Sequence, residues 1–220
     1  MVDAGFAVFE TSTASASAGH SPRPAVLSRA KRCLDVSVAG ALLVFLLPIL
    51  LIIAFAIKLD TPGPILFRQK RGGLRGAPFT VFKLRSMTVA EDGDHIVQAR
   101  RQDPRVTRVG GFLRRTSLDE LPQLINVLRG EMSLVGPRPH ALAHDRHFQT
   151  LVPSYFRRFE VKPGITGLAQ IRGFRGEIRA LDLLDQRTAC DIEYVENWSL
   201  AADIMVLFAT LKTPLDPHAH

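Results

Sequence analysis

One uncharged stretch of the sequence, Val36 to Ile57, constrains the fold more than any other feature. All of its 22 residues except Ser37 are apolar, glycine or proline. About 20 such residues are enough to cross the hydrocarbon core of a bilayer, whereas buried helices of soluble proteins have shorter apolar stretches. The sequence therefore predicts a membrane helix near the N-terminus of the chain.

The residues around this stretch predict how the helix enters the membrane. Pro48 lies near its middle, where a proline removes one helical hydrogen bond and bends the axis. Basic residues flank it on both sides: Arg29, Lys31 and Arg32 before it, and Lys58, Arg68, Lys70 and Arg71 after it. The positive-inside bias then favours both flanks remaining in the cytoplasm. We predict a re-entrant helix, kinked at Pro48, within the segment 29–62; the alternative is a straight span. Asp35 is expected to pair with a neighbouring cation such as Arg32, because an unpaired carboxylate is costly in hydrocarbon.

Composition narrows the classes of function. The chain has 28 lysines and arginines against 21 acids, a formal net charge of +7 and a pI near 10. This balance suits nucleic acid, an anionic membrane surface or phosphorylated substrates. Nucleic-acid binding is disfavoured, because the sequence has no zinc-finger spacing, RNP-like strand or heptad-bearing basic helix. Cys33 and Cys190 form no CxxC pair and are predicted to be free thiols in a reducing compartment.

The remaining patterns predict an α+β fold that is mainly helical. Residues 1–28 are rich in alanine, serine and threonine and are expected to be a disordered tail. Residues 63–220 are expected to form one small globular cytoplasmic catalytic domain. Short strands at Ile65–Gln69 and Phe79–Leu84 predict a β-hairpin around a glycine-rich turn. Helical patterns follow at 117–129, 180–194 and 200–212.

Two adjacent acids, Asp119 and Glu120, are the first candidates for chemistry. Ser117 and Glu120 also fit the capping-box pattern S-x-x-E, in which such residues only satisfy free backbone groups at a helix start. Pro122 places that start close to Leu118, because its missing N–H is harmless only in the first turn. On these residues alone, the catalytic and the structural interpretations are equally open.

Short motifs from about Ser28 to about Lys212 carry a family resemblance. They are Lys31-Arg32-x-x-Asp35, Gly63-Pro64-x-x-Phe67-x-Gln69, Phe82–Met87, Arg105-x-Thr107-x-x-Gly110, Ser117–Pro139, Val161–Gln170 and Asn197–Leu200. Together they resemble the monotopic phosphoglycosyl transferases, the bacterial sugar transferase family that loads polyprenyl phosphate. A narrower likeness, at His140–His144 and Gly173–Glu177, is similar to members that transfer glucose 1-phosphate. The chain departs from the family pattern at Leu47, where serine is frequent, and at Leu84, where phenylalanine is usual.

The resemblance implies an enzyme that transfers a sugar 1-phosphate, glucose first, from a UDP-sugar to undecaprenyl phosphate. This would be the initiating step of exopolysaccharide synthesis, with release of UMP. By motif match, Asp119 would be the nucleophile of an aspartyl-phosphosugar intermediate, at a helix start that favours its ionised form. Glu120 would be the acid associated with Mg²⁺. The predicted phosphate-binding cations are Arg114, Arg138, Lys83 and Arg85.

The resemblance also implies a location and a set of partners. The protein would be monotopic, on the cytoplasmic face of the bacterial inner membrane, in contact with membrane lipid and without nucleic acid. Whether it forms a homo-oligomer stays open. One rival interpretation is a non-catalytic membrane scaffold of a polysaccharide assembly complex, which the intact Asp119–Glu120 pair argues against. The other is a basic membrane protein that binds nucleic acid.

Smaller expectations concern the C-terminal half of the chain. Thr166 and Gln170 are candidate polar contacts of a nucleotide or sugar pocket. Surface positions are expected for Asp182, Asp185 and Asp191. The last helix has an apolar stripe that predicts burial in the core, with a helix at the membrane interface as the alternative. That stripe consists of Leu200, Ile204, Leu207, Phe208 and Leu211.

Overall fold

The computed structural model of the protein describes residues 24–88, 103–174, 176, 178 and 180–212. The helices are α1 (Pro24–Leu27), α2 (Arg29–Asp60), α3 (Arg108–Arg115), α4 (Gln123–Arg129), α5 (Leu142–Leu151), α6 (Leu168–Ile171), α7 (Leu181–Glu196) and α8 (Leu200–Thr210). Short 3₁₀ segments cover Leu74–Gly76, Leu118–Glu120 and Pro153–Glu160. The strands are β1 (Leu66–Gly72), β2 (Pro78–Leu84), β3 (Ser133–Val135) and β4 (Gly164–Thr166). The mainly helical fold and its N-terminal apolar helix are as predicted.

The structure has two two-stranded sheets, of which β3–β4 is the more buried. β1 and β2 pair antiparallel from Leu66–Leu84 to Gly72–Pro78, which confirms the predicted hairpin. β3 and β4 form a parallel pair that the sequence did not predict. The hairpin carries Lys83 near the end of β2, and the loop after β3 carries Arg138. The hairpin and the loop after β3 therefore set the positions of these two candidate cations.

Helix α2 is long and apolar enough to cross a membrane. It runs without interruption from Arg29 to Asp60, with Pro48 inside it. The middle of the helix is its most exposed part, and the apolar side chains that face outward there include Val44, Phe45, Leu51, Ile52 and Phe55. Such a row of exposed apolar side chains is the face that a bilayer would cover.

The N-terminal end of α2 is bonded to the globular part through Lys31. Its buried ammonium donates to the Val135 carbonyl at 3.1 Å, the Tyr194 hydroxyl at 3.2 Å and Asp203 Oδ2 at 2.6 Å. Tyr194 lies on α7 and Asp203 on α8. One lysine therefore joins α2 to the last two helices of the chain.

Asp35 and Arg32 add further bonds at this end, but not to each other. Asp35 Oδ1 accepts from Ser133 Oγ at 3.0 Å and from the Leu134 N–H at 2.9 Å. Arg32 donates to the last carbonyls of α4, those of Val127 and Leu128, at 2.6 and 2.8 Å. The predicted Asp35–Arg32 pair is therefore wrong. Asp35 is satisfied by the start of β3 and Arg32 by the negative end of a helix dipole.

The C-terminal end of α2 is bonded to the same globular part. Asp60 Oδ2 accepts from the Val109 N–H at 3.1 Å, at the start of α3. Arg85 donates to the carbonyl of Thr61 at 2.7 Å and also to those of Ile57 and Pro62, just where α2 ends. Ile53 and Ile57 pack in a cluster with Leu84 and Leu113. Both ends of α2 are thus fixed to one body.

Several predictions for the termini and the last helices need correction. Part of the tail expected to be disordered forms helix α1, with Ala25 buried, while residues 1–23 lie outside the described residues. Asp191 is buried at 2 % exposure, not on the surface, because Arg158 pairs with it. The apolar stripe of the last helix is core only in part: Leu207 packs against the main hydrophobic cluster, whereas Ile204, Phe208 and Leu211 are exposed. Cys33 and Cys190 are free, as predicted.

Candidate active site

The two acids lie in a tight turn between α3 and α4, not in the first turn of a capped helix. Ser117 has a left-handed backbone, with φ of 56°, and its side chain makes no capping bond. A 3₁₀ turn over Leu118–Glu120 follows, and α4 begins only at Gln123. The predicted capping box is therefore wrong. A non-glycine residue with positive φ costs about 1–2 kcal/mol, and this one directly precedes the acids.

Glu120 is held by two cations. Both terminal nitrogens of the Arg138 guanidinium donate to it: Nη1 to Oε2 at 2.9 Å, and Nη2 to Oε1. Lys83 Nζ donates to Oε1 at 2.8 Å. Burial alone would raise the pKa of Glu120, but the charges of Arg138 and Lys83 outweigh it and hold the pKa well below its usual range. Glu120 is therefore fully ionised and neutralised within the site.

Asp119 has the opposite environment. It is 8 % exposed, and no hydrogen bond or ion pair is recorded for its carboxylate among the described residues. Burial raises its pKa to about 6; the charge of Lys83 opposes this rise, and that of Glu120 adds to it. The expected effect of a helix start, which would lower the pKa, is overcome because the acid precedes α4 and is buried. At neutral pH most of this carboxylate is ionised and free to react.

The pair therefore consists of two carboxylates that share a site but differ in state. Environments that separate the pKa values of neighbouring acids usually assign them different tasks. Here Glu120 binds the cations Arg138 and Lys83, whereas the Asp119 carboxylate is poorly solvated and has no ion pair among the described residues. This arrangement suits attack on a phosphorus atom next to bound phosphate oxygens.

Two other arginines hold the loop that carries Arg138 by donating hydrogen bonds to its backbone carbonyls. Arg158 Nη2 donates to the Arg138 carbonyl at 2.6 Å, and Arg71 Nη1 donates to the Pro139 carbonyl at 2.5 Å. Arg158 is itself buried and pairs with Asp191 at 2.9 Å. The guanidinium of Arg138 is thus positioned before any substrate binds, which lowers the entropy cost of binding.

The structure gathers most of the predicted cations around the acids. Lys83 and Arg138 contact Glu120 directly, and the charge of Arg114 acts on Asp119 from the last turn of α3. Arg85 differs, because its guanidinium is bonded to the carbonyls at the end of α2. Arg85 therefore fixes the end of α2 and is not one of the cations that lie around the acids.

Other residues of the site were missed or were placed differently by the sequence. Four residues of the site could not be recognised from their neighbours in the sequence, because the partner that gives each its role is distant in the chain. They are Arg71, Tyr155, Arg158 and Asp191. Thr166 and Gln170 were expected in a nucleotide or sugar pocket. The Thr166 hydroxyl instead bonds that of Thr210 at 2.7 Å, and Gln170 Nε2 donates to the Ile165 carbonyl at 3.1 Å.

The donor set at the acids fits magnesium. Mg²⁺ is bound through one or two carboxylates together with substrate phosphate oxygens and water. Asp119 and Glu120 supply two adjacent carboxylates, and no group of three or more metal-ligating side chains occurs in the part of the chain that the structure describes. A metal here would depend on phosphate oxygens of a substrate for the rest of its coordination.

Comparison with known proteins identifies the family. The chain is 54% identical over 197 residues to the UDP-glucose:undecaprenyl-phosphate glucose-1-phosphate transferase of Caulobacter vibrioides, covering 90% of this chain and 73% of that protein. It is 52% identical over 181 residues to the Escherichia coli K12 protein of the same name, but spans only 39% of its length. It is also 45% identical to exopolysaccharide production protein PSS of Rhizobium leguminosarum bv. phaseoli, spanning 94% of that protein. The model of the bacterial sugar transferase family matches residues 26–216, and the chain therefore belongs to this family, as its motifs predicted.

Proposed function

We propose that the protein transfers glucose 1-phosphate from UDP-glucose to undecaprenyl phosphate and releases UMP. The observation that carries this proposal is the unpaired Asp119 carboxylate beside the neutralised Glu120, within a cluster of phosphate-binding cations. The names of the Caulobacter and E. coli relatives supply the substrates.

In the first step, an Asp119 carboxylate oxygen attacks the sugar-bearing phosphorus of the donor. A bond forms between this oxygen and phosphorus, the bond from phosphorus to the bridging oxygen breaks, and UMP leaves with that oxygen and its electron pair. Arg138 and Lys83 stabilise charge on the phosphate oxygens, and Arg114 adds a third positive charge. Burial of Asp119 strengthens these interactions, because water competes less for them.

In the second step, a phosphate oxygen of undecaprenyl phosphate attacks the same phosphorus and frees the Asp119 carboxylate. Dividing one displacement into two lets the water-soluble donor and the membrane-bound acceptor use the site in turn. Bound Mg²⁺ would neutralise phosphate charge in this site, held by Glu120 with phosphate oxygens of the donor. Glu120 would otherwise repel the diphosphate, so its pairing with Arg138 and Lys83 favours binding of the donor.

The experiment that tests this function separates the two steps. Purified protein incubated with UDP-glucose and Mg²⁺, without lipid, should release about one equivalent of UMP and gain the mass of a hexose phosphate. Asp119→Asn should lose both signals together. UMP that appears only after undecaprenyl phosphate is added would contradict the covalent route and favour direct attack by the lipid.

A panel of UDP-sugars tests the identity of the sugar. UDP-glucose should give the fastest UMP release, because the relatives at 50–54% identity are named for glucose or glucose 1-phosphate. UDP-N-acetylgalactosamine is the informative competitor, since an Aeromonas hydrophila relative at 39% identity is named for it. A faster reaction with that sugar would reassign the donor.

We place the domain on the cytoplasmic face of the inner membrane, with α2 as a re-entrant helix. Its two ends support this placement, because Lys31 and Asp60 are bonded to one globular part. A straight span would separate these ends by the thickness of the bilayer, about 30 Å.

Labelling of cysteines in intact cells tests the topology. In a variant lacking Cys33 and Cys190, single cysteines replacing Ser21 and Arg75 should both be protected from a membrane-impermeant thiol reagent. Labelling of the Ser21 site alone would establish the straight span. Lysed cells provide the control that both sites are reactive.

A further inference from the structure

Arg187 on α7 is a buried cation without a direct ion pair; the charge of Asp191, one turn further along the same helix, attracts it, but that carboxylate is itself bound by Arg158. Arg187 is 5 % exposed, and its one recorded hydrogen bond runs from Nη2 to the Gly176 carbonyl at 3.1 Å. Its Nε is buried and has no partner among the described residues. None of the ion pairs found between described residues includes it. A buried charge without a direct partner is costly, by several kcal/mol, so an anion that bound Nε would be stabilised.

Arg158 links Arg187 to the active site, because it binds Asp191, one helical turn after Arg187, and donates to the Arg138 carbonyl. Burial lowers the pKa of Arg187 to about 10, and repulsion by Arg138 and then Arg158 adds to the lowering, whereas the charge of Asp191 opposes it. Both of these arginines have their own acids, because Arg138 binds Glu120 and Arg158 binds Asp191. Arg71 lacks such an acid, but it makes three hydrogen bonds to neutral oxygens. Arg187 has only the Gly176 carbonyl.

A second buried donor in the same cluster lacks a partner. His140 Nδ1 lies 2.7 Å from Arg158 Nη1 and 2.6 Å from the Tyr155 hydroxyl; because an arginine can only donate, Nδ1 is the acceptor. The proton of the neutral ring is therefore assigned to Nε2, which is buried and unpartnered among the described residues. Burial, followed by the charges of Arg158 and Arg187, holds the pKa of His140 well below its usual range, so the ring stays neutral.

We infer that Arg187, with the Nε2–H of His140, extends the Arg138 site into a subsite for the diphosphate of the nucleotide-sugar donor. A planar guanidinium presents paired donors that match phosphate oxygens. The diphosphate carries two negative charges that would compensate the excess cations, and it would satisfy donors that the protein leaves open. The inference rests on the proposed function and adds two donor contacts to it.

Steady-state kinetics with Arg187→Gln tests the subsite. The KM for UDP-glucose should rise about ten-fold or more, as expected for the loss of one charge-assisted hydrogen bond. The KM for undecaprenyl phosphate should stay within about two-fold, because the lipid phosphate reacts after UMP has left. Arg187→Lys keeps the charge but loses the paired donors of the guanidinium, so its KM for UDP-glucose should lie between those of the wild type and Arg187→Gln. Arg172→Gln is the matched control, since Arg172 is exposed and pairs with Glu193.

A direct binding measurement protects the test against a folding defect. In the inactive Asp119→Asn background, UDP-glucose and inorganic pyrophosphate should each raise the thermal unfolding temperature, and Arg187→Gln should remove most of this rise. A wild-type KM for donor, or an undiminished rise with both anions, would overturn the inference. So would equal changes in the KM of donor and acceptor, since that pattern indicates only the structural bond to Gly176. If the wild type itself releases no UMP from any UDP-sugar, the proposed function fails instead.

Discussion

Two buried polar clusters of this protein differ in how completely their groups are paired. The first, which we call the helix-base cluster, consists of Lys31, Tyr194, Trp198 and Asp203. Asp203 accepts from Lys31, from Trp198 Nε1 at 3.0 Å and from the Tyr194 hydroxyl at 2.7 Å. We call the second the active-site cluster. In it, the Asp119 carboxylate has no hydrogen bond or ion pair among the described residues, and the Nε of Arg187 is likewise unpaired. Full pairing is what a buried network needs to hold a fold together, whereas unpaired buried groups mark places where a ligand completes the network. The fully paired cluster therefore anchors the fold, whereas the incompletely paired cluster is the place where a substrate binds.

The largest effect should come from Asp119→Asn. We expect UMP release to fall at least about a thousand-fold, because an amide cannot replace the carboxylate nucleophile. Stability should be unchanged or higher, since the pKa of Asp119 is raised from 3.8 to about 6 and its ionised form therefore opposes folding at neutral pH. UMP assays and thermal unfolding of the same preparation measure both. A clear loss of stability would place Asp119 with the anchoring groups.

Lys31→Met should show the reverse pattern. Removing this lysine leaves Asp203 buried without its ion pair, which typically costs about 3–5 kcal/mol of unfolding free energy. Activity per folded molecule should be nearly unchanged, because no contact joins Lys31 to the acids. Arg157→Gln is the control, since Arg157 pairs with Glu196 at the surface and should cost less than about 1 kcal/mol. Unaltered unfolding of Lys31→Met would remove the helix-base cluster from the anchoring role.

Glu120→Gln should have a smaller effect on activity than Asp119→Asn, through metal use, and should also lower stability, because Arg138 and Lys83 lose their acid. The amide keeps the shape but loses the charge that Arg138 and Lys83 neutralise, so the Mg²⁺ concentration for half-maximal activity should rise about ten-fold. A chelator should abolish wild-type turnover and added Mg²⁺ should restore it, with the exposed Glu196→Gln as the matched control. Full wild-type activity in excess chelator would contradict the metal role.

The smallest effect is expected at the Arg172–Glu193 pair. Both side chains are largely exposed, so water screens their attraction, and replacement of Glu193 by Gln should change stability by well under 1 kcal/mol. Donor and acceptor KM values should match those of the wild type. A change of ten-fold in the donor KM would show that the active-site cluster extends to this surface.

Features that depend on neighbours in sequence could be predicted. The glycine-rich turn and the alternating strands on either side of it gave the hairpin, because turn geometry and strand pairing are local there. The helical pattern over 117–129 ended at the right residue, because Gly130 follows α4 with a left-handed backbone, φ of 81°. The Asp119–Glu120 pair was recognised by motif, since its segment is continuous in the chain.

Features that depend on distant partners could not be predicted. The pattern around Ser117 fits a capping box worth about 1 kcal/mol, but Glu120 instead binds Lys83, 37 residues away, and Arg138, 18 residues away. Charge-assisted bonds of this kind are stronger than a cap, and they decide the turn. Asp191 was expected at the surface for the same reason: nothing near it in the sequence indicates that Arg158 reaches it.

The ion pair between Lys31 and Asp203 has a consequence for how the protein is made. The two residues are 172 positions apart, so the ribosome releases α2 long before it synthesises the partner that Lys31 needs. At about 5–20 residues per second, the lysine waits on the order of ten seconds or more, by which time α2 can already lie in the bilayer. The ion pair of the helix-base cluster therefore forms only after α8 has been made, and a chain cut short before α8 leaves Lys31 without Asp203. Premature termination near the C-terminus should thus yield a membrane-bound substrate for quality-control proteases, not a shortened enzyme.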